Sequence, residues 1–264
     1  MRLLSKKKGA KINYLGGIDM IVDLQMFGRA YEVRKASIQK TGAAKAKLYS
    51  MYAREIYDVA KKGGADPDGN LSLRRLLEKA KKEQVPGDII KRALDKVNSG
   101  IDESYMTVRY EIFGPNGSTA IVECLTDNVN RAISNVKTAL NKCKSKMGVE
   151  GSVSFNYDHL CIIGFKGLTE EEALEATLEA GVEIVDIETE EELVVIYGNP
   201  QDFNIIKDAV AKKIPNVTFE IDEIAMLAKE KITLEGEELE VFKRLLFMLE
   251  EAEDTKCIYH NVIL

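Results

Sequence analysis

The chain has 264 residues, 45% of them hydrophobic and 30% charged, a balance that fits an ordinary globular protein and excludes a low-complexity or collagenous one. No run approaches the roughly 20 apolar residues of a membrane-spanning helix, so no membrane partner is expected. The formal net charge of −6 is unevenly spread: residues 26–98 carry 17 Lys and Arg against 9 acids, and residues 99–264 carry 15 against 32.

That asymmetry is the main physical clue. A basic head on an acidic body draws a polyanion to one end of the molecule and repels it from the other. The length suits two or three domains. Residues 1–25 hold 5 basic and 2 acidic side chains but no apolar core or cleavage site of a secretion signal. Cys124, Cys143, Cys161 and Cys257 show no C-x-x-C pairing, so they read as reduced, mostly buried thiols of a cytoplasmic protein.

In chain order, the spacing predicts a first helix from about Ala43 to Lys62, with Leu48, Tyr52, Ile56 and Val59 as its apolar stripe. Lys47, Arg54 and Lys61 recur every seven residues on nearly the opposite side. The breaker cluster "KGGADPDGN" (62–70) ends this helix. A second helix is expected over 71–83, with Leu73, Leu76, Leu77 and Ala80 inward and Arg75, Lys79 and Lys82 outward. After Pro86, "DIIKRALDKV" (88–97) reads as a short third helix. The result is a small bundle with cationic outer faces.

The period then changes. "MTVRYEIF" (106–113) alternates, "GPNG" (114–117) turns, and "STAIVECL" (118–125) returns, a hairpin. "NRAISNVKTALNK" (130–142) is helical and "GSVSFNYD" (151–158) reads as a strand. Next come "HLCIIGFKG", "TEEEALEATLEAG", "VEIVDIE", "ELVVIYG", "DFNIIKDAVAKKI" and "VTFEIDEI", in the β-α-β-β-α-β order of a ferredoxin-like block. "GEELEVFKRLLFMLEEAED" is a helix and "KCIYHNVI" a strand. The first β-β-α-β lacks a closing helix and strand, and the last helix and strand lack a sheet. Joining them predicts an α+β protein: an N-terminal helical bundle and two α/β domains of ferredoxin-like β-α-β type, one inserted into the other. The expected boundaries are 26–103 for the bundle, 104–158 plus 232–264 for the discontinuous domain, and 159–231 for the insert. Residues 1–25 are expected to be an upstream extension, poorly ordered or set by an early start codon.

"TDNVNR" (126–131) lies where the hairpin passes into a helix, and Thr, Asp and Asn there suit an N-cap. Amide donors and Arg131 at a helix N-terminus could also hold a phosphate. His159 and His260 have no partner at zinc-ligand spacing, so no metal is expected. "FGPNG" and "GFKG" have the wrong spacing or length for a phosphate loop. No hydrolase or metalloprotease motif occurs, so neither catalytic residues nor a cofactor nor a small-molecule substrate is assigned. With no heptad or long apolar edge, a monomer is expected.

The motifs "GRAYEVRKAS", "GGADPDGN", "YEIFGPNGSTAIVECLTDNVNR", "GSVSF" and "YHN" resemble, in order from Gly28 to Asn261, the YebC/PmpR family. The resemblance implies a helical domain followed by two α/β domains around a cavity, and a DNA-binding transcriptional regulator. Relatives that include a mitochondrial translational activator imply the alternative of a ribosome-associated translation factor. Tyr31 stands where many relatives have tryptophan, which marks a divergent branch. The expected nucleic-acid contacts are Lys35, Lys40, Lys45, Lys47, Arg54, Lys61, Arg75, Lys79 and Lys82. Asn116, Asn128, Asn130 and Arg131 are the residues of loops that could approach RNA. On this reading Arg54→Glu with Arg75→Glu abolishes binding and leaves stability nearly unchanged.

Overall fold

A computed structural model describes residues 42–100 and 102–264. Helix α1 (Gly42–Gly63) buries Tyr52, Ile56 and Ala60, one turn apart, and packs Leu48 and Val59 beside them. It ends at Gly64, whose left-handed backbone (φ 96°) lets its N–H return to the Ala60 carbonyl at 2.8 Å. Helix α2 (Leu71–Lys82) begins at Asn70, whose side-chain oxygen accepts the Leu73 N–H at 3.1 Å. The same amide donates to the carbonyls of Val59 (3.2 Å) and Gly64 (2.9 Å), so one buried side chain caps α2 and ties it to the end of α1. A Cβ at Gly63 would come within 2.6 Å of that amide, which is why the turn carries glycine there. Helix α3 (Gly87–Asn98) adds Ala93, with Ile89, Ile90, Leu94 and Val97 partly buried, and closes a three-helix core. The three helices fall within a residue or so of their expected spans.

Strands β1 (Met106–Phe113) and β2 (Thr119–Thr126) form the antiparallel hairpin, turning through Asn116 (φ 46°) and Gly117 (φ 78°). Helix α4 (Val129–Lys142) follows, then the short strand β3 (Lys146–Met147) beside β1. The chain returns much later as β8 (Ile232–Thr233), helix α7 (Gly236–Glu251), β9 (Thr255–His260) and β10 (Val262–Ile263). β9 pairs antiparallel with β2, which completes a four-stranded sheet of order β3-β1-β2-β9. Val108, Tyr110 and Ile112 of β1 alternate toward α4 and α7, where Val136, Leu140, Phe242, Leu245 and Leu249 complete the core. The late helix and strand thus supply what the element count found missing from the first sheet.

Between these segments lies the ferredoxin-like block: β4 (Tyr157–Lys166), α5 (Glu170–Glu179), β5 (Ile184–Glu190), β6 (Leu193–Gly198), α6 (Phe203–Lys213) and β7 (Phe219–Ala228). Its sheet order is β5-β6-β4-β7, and Ile163, Phe165, Val194, Ile196, Phe203 and Ile206 fill its core. Among the described residues, 160–224 form one compact unit, and those up to 159 with 225–264 form the other. The fold is α+β, with an N-terminal helical region and sheet domains.

Two expected strands differ. Residues 151–156 are a turn and a 3-10 segment (Ser154–Asn156), and the strand starts only at Tyr157. The cause is Glu111: its buried carboxylate accepts the N–H groups of Gly151 (2.8 Å), Val153 and Ser154 (3.1 Å), so these donors converge on one anion and cannot run along a ladder. The final strand breaks at Asn261, whose side-chain oxygen accepts the Thr119 N–H at 2.8 Å in place of a backbone partner. Cys124, Cys143 and Cys161 are buried and Cys257 is half-buried, all as free thiols.

Candidate nucleic-acid interface

The three cations of the α1 stripe share one side of the helix, as their spacing requires, and each is engaged by another segment of its unit. Lys47 Nζ donates to the Glu250 carbonyl oxygen at the end of α7. Arg54 donates to Asp254 Oδ1 at 3.2 Å and to the Glu253 carboxylate. Lys61 donates to the Asp102 carboxylate and to the Glu103 carbonyl oxygen at 2.8 Å, with its ammonium 5.9 Å from the Tyr57 ring centre. These acceptors come from the last turn of α7, from the turn after it and from the linker before β1. The side of α1 expected to face outward therefore meets the acidic edge of its own unit.

Asp254 is the centre of the arrangement. Its side chain is 1% exposed and also accepts from Arg131, from Nε at 2.9 Å and from Nη2 at 2.6 Å. Arg131 donates further to Asp127 at 2.6 Å. Burial opposes ionisation of Asp254, but the Arg131 hydrogen bonds and charge, with the Thr126 hydroxyl and Arg54, outweigh it and hold the carboxyl below its ordinary range. Asn128 Oδ1 accepts the Arg131 N–H at 3.0 Å and caps α4. The "TDNVNR" segment is thus both an N-cap and one side of an Arg54–Asp254–Arg131 clamp between α1 and the sheet. Lys256 adds a second link, reaching Glu55 of α1 at 2.6 Å and Glu123 at 4.0 Å. Burial penalises its charge, yet Glu55 and Glu123 raise its pKa above the usual lysine value.

Burial also sets the protonation behaviour of Lys47: desolvation lowers its pKa, and the nearby Glu251 and Glu250 oppose that only in part. For Lys61 the hydrogen bond to Asp102 dominates and raises the pKa. Both effects describe cations engaged with protein groups.

Helix α2 carries the second group of cations. Arg75, Lys79 and Lys82 follow one another at i, i+4 and i+7, while Leu73, Leu76 and Ala80 are buried on another side. Lys82 is exposed, and Arg75 and Lys79 are half-buried. Lys81, not among the expected contacts, is exposed on the same helix, and Lys45 is exposed at the start of α1. Altogether α2 holds five Lys and Arg and one Glu. Lys35 and Lys40 lie outside the described residues. Asn116 is exposed at the β1–β2 turn and Asn130 is exposed in the first turn of α4.

An open groove of about 270 Å³ lies beside α1 and α3, lined in part by Tyr57, Arg54, Arg92, Lys96, Glu103 and Tyr105. Its cations are paired: Arg92 with Asp88, Lys96 with Glu103 at 2.9 Å, and Arg54 as above. Hydrogen bonds from Lys96 and Tyr105 hold the Glu103 carboxyl below its ordinary pKa, and burial with Glu103 pushes Tyr105 up to about 12.

Comparison with known proteins agrees with the architecture. The TACO1/YebC N-terminal domain family matches residues 29–100, and the TACO1/YebC second and third domain family matches residues 105–262. A protein of Idiomarina loihiensis named "Probable transcriptional regulatory protein" is 45% identical over 234 residues, 89% of this chain and 98% of that one. One of Alteromonas mediterranea with the same description is 42% identical over 236 residues, with the same coverage. Among solved structures, a conserved hypothetical protein of Aquifex aeolicus superposes with a TM-score of 0.69 at 31% identity, covering 85% of this chain and 92% of its own. The chain belongs to the TACO1/YebC family.

Proposed function

We propose that this member of the TACO1/YebC family regulates gene expression by binding nucleic acid, without catalysis, and that its helical bundle supplies the contact. The names of its relatives support a role in transcriptional regulation. The observation that carries the reading is α2, where Arg75 and Lys79, half-buried, and Lys82, exposed, follow one another along a helix whose core face of Leu73, Leu76 and Ala80 lies on another side. A helix of this kind neutralises phosphates without reading bases. Lys45, at the start of α1, extends the footprint.

The test is affinity for a duplex DNA as a function of salt. With four phosphates engaged, log K against log[salt] falls with a slope of about −3 to −4. Arg75→Glu with Lys82→Glu weakens binding across all sequences and flattens the slope by roughly 2. A slope near zero, or unchanged affinity in the double variant, refutes the assignment. Sucrose-gradient fractionation of cell extract with and without RNase separates the targets, since RNase-sensitive migration with ribosomal subunits would move the site from DNA to ribosomal RNA.

A further inference from the structure

We infer that the acidic turn after α7, with the linker before β1, is a built-in competitor that occupies the α1 cationic stripe and must be displaced before that stripe meets a polyanion. The inference rests on the nucleic-acid reading above and adds a regulatory contact to it.

Geometry carries the argument. Lys47, Arg54 and Lys61 lie seven residues apart, so they mark a line of about 21 Å along α1, close to the axial length of six base pairs. Each is met by an acceptor from elsewhere in its unit. The end of α7 and the turn after it read "EEAED" (250–254), four carboxylates in five residues, and supply the Glu250 carbonyl to Lys47 and the Glu253 and Asp254 carboxylates to Arg54. The linker supplies Asp102 and the Glu103 carbonyl to Lys61. Two separate acidic segments thus occupy the stripe, through three carboxylates and two backbone carbonyls, where phosphates would otherwise sit.

The contact is also built to open. The bundle has its own hydrophobic core, separate from the core of the four-stranded sheet. Ion pairs at Arg54, Lys61 and Lys256 join α1 to the neighbouring segments, and Tyr57 adds an edge-on contact with Tyr105 and accepts the Glu103 N–H at 2.9 Å. Glu253 is 62% exposed and Asp102 is 81% exposed. Exposed pairs of this kind are individually weak and salt-screened, so a partner offering several phosphates at once competes well. The buried Asp254 sets the threshold for release.

The experiment measures binding of a 20-base-pair duplex, by fluorescence anisotropy, to the full chain and to Glu253→Gln. Glu253 is exposed, so the variant keeps its fold. Removing its carboxylate raises the population with a bare stripe, and affinity tightens by roughly two- to tenfold. Glu237→Gln, which removes an exposed charge at the opposite end of α7, controls for net charge and changes affinity by less than about twofold. Amide hydrogen exchange supplies a second readout. The N–H of Leu125, bonded to the Asp254 carbonyl at 2.9 Å, and that of Thr255, bonded to Ala252 at 3.1 Å, exchange faster in the duplex complex of the unaltered chain. Equal affinities of the full chain and Glu253→Gln, or slower exchange at both amides on binding, overturn the competitor. Failure of every form to bind duplex overturns the underlying reading as well.

Discussion

Replacing Asp254 by Asn removes one charge and almost no volume, so it isolates the electrostatics of the clamp. The carboxylate is 1% exposed and accepts three hydrogen bonds from two guanidinium groups. Breaking a fully buried pair costs about 3–5 kcal/mol. The present loss is smaller, because Arg131 is 36% exposed and keeps Asp127, while Arg54 keeps Glu253. A reduction of about 2–3 kcal/mol follows, equivalent to roughly 4–12 °C in Tm for a cooperative unit of this size. Asp127→Asn breaks only an exposed pair and lowers Tm by about 2 °C or less. Circular dichroism melts of both variants measure this. Sign matters in the pH dependence. The folded pKa of Asp254 lies below its unfolded value, so its contribution is present above about pH 4 and disappears as pH falls through the folded pKa. The gap between the unaltered chain and Asp254→Asn should therefore be full at pH 7 and close in acid below about pH 4. A variant within 2 °C of the parent at pH 7, or equal losses for Asp127→Asn and Asp254→Asn, would refute the clamp.

Asn70→Ala removes a cap and two amide donations at once and should cost about 2–3 kcal/mol in urea unfolding. Asn70→Asp keeps the cap but aims an anion at two carbonyls, so full recovery of stability by Asp would show that the donations contribute nothing. Glu111→Gln weakens the grip on residues 151–154 by about 1–2 kcal/mol, and the amides of Gly151, Val153 and Ser154 should exchange faster. Unchanged protection there would sink that role for Glu111. Its pKa carries a matching signature: burial opposes charge, but the three backbone donors outweigh it and hold the carboxyl below its ordinary range, so its contribution fades as pH falls below about 4.

What the sequence determined by itself is local. Apolar residues one turn apart drew α1 and α2, alternation drew the β1–β2 hairpin, and glycine with Asn placed the turns between them. The order of elements even showed that the C-terminal helix and strand had to rejoin the first sheet, because unpaired strands leave backbone groups unsatisfied. "TDNVNR" announced a cap among its Thr, Asp and Asn residues, and the structure gives that role to Asn128, since capping depends on residues three apart.

Only the tertiary structure decided what the cations face. Lys47, Arg54 and Lys61 sit opposite an apolar stripe, a pattern that in an isolated helix means solvent. The partners of Lys47 and Arg54, at Glu250, Glu253 and Asp254, lie about 200 residues away and those of Lys61, at Asp102 and Glu103, about 40, and nothing in the spacing of α1 records them. For that reason Arg54→Glu with Arg75→Glu is now expected to lower stability, since a glutamate at 54 would confront the buried Asp254. Likewise "GSVSF" alternates well enough for a strand, yet Glu111, 40 residues earlier, draws its N–H groups together. Periodicity reports the faces of one element, whereas Coulomb attraction and hydrogen bonding act through space, so the role of a charge is set by whichever segment the fold brings against it.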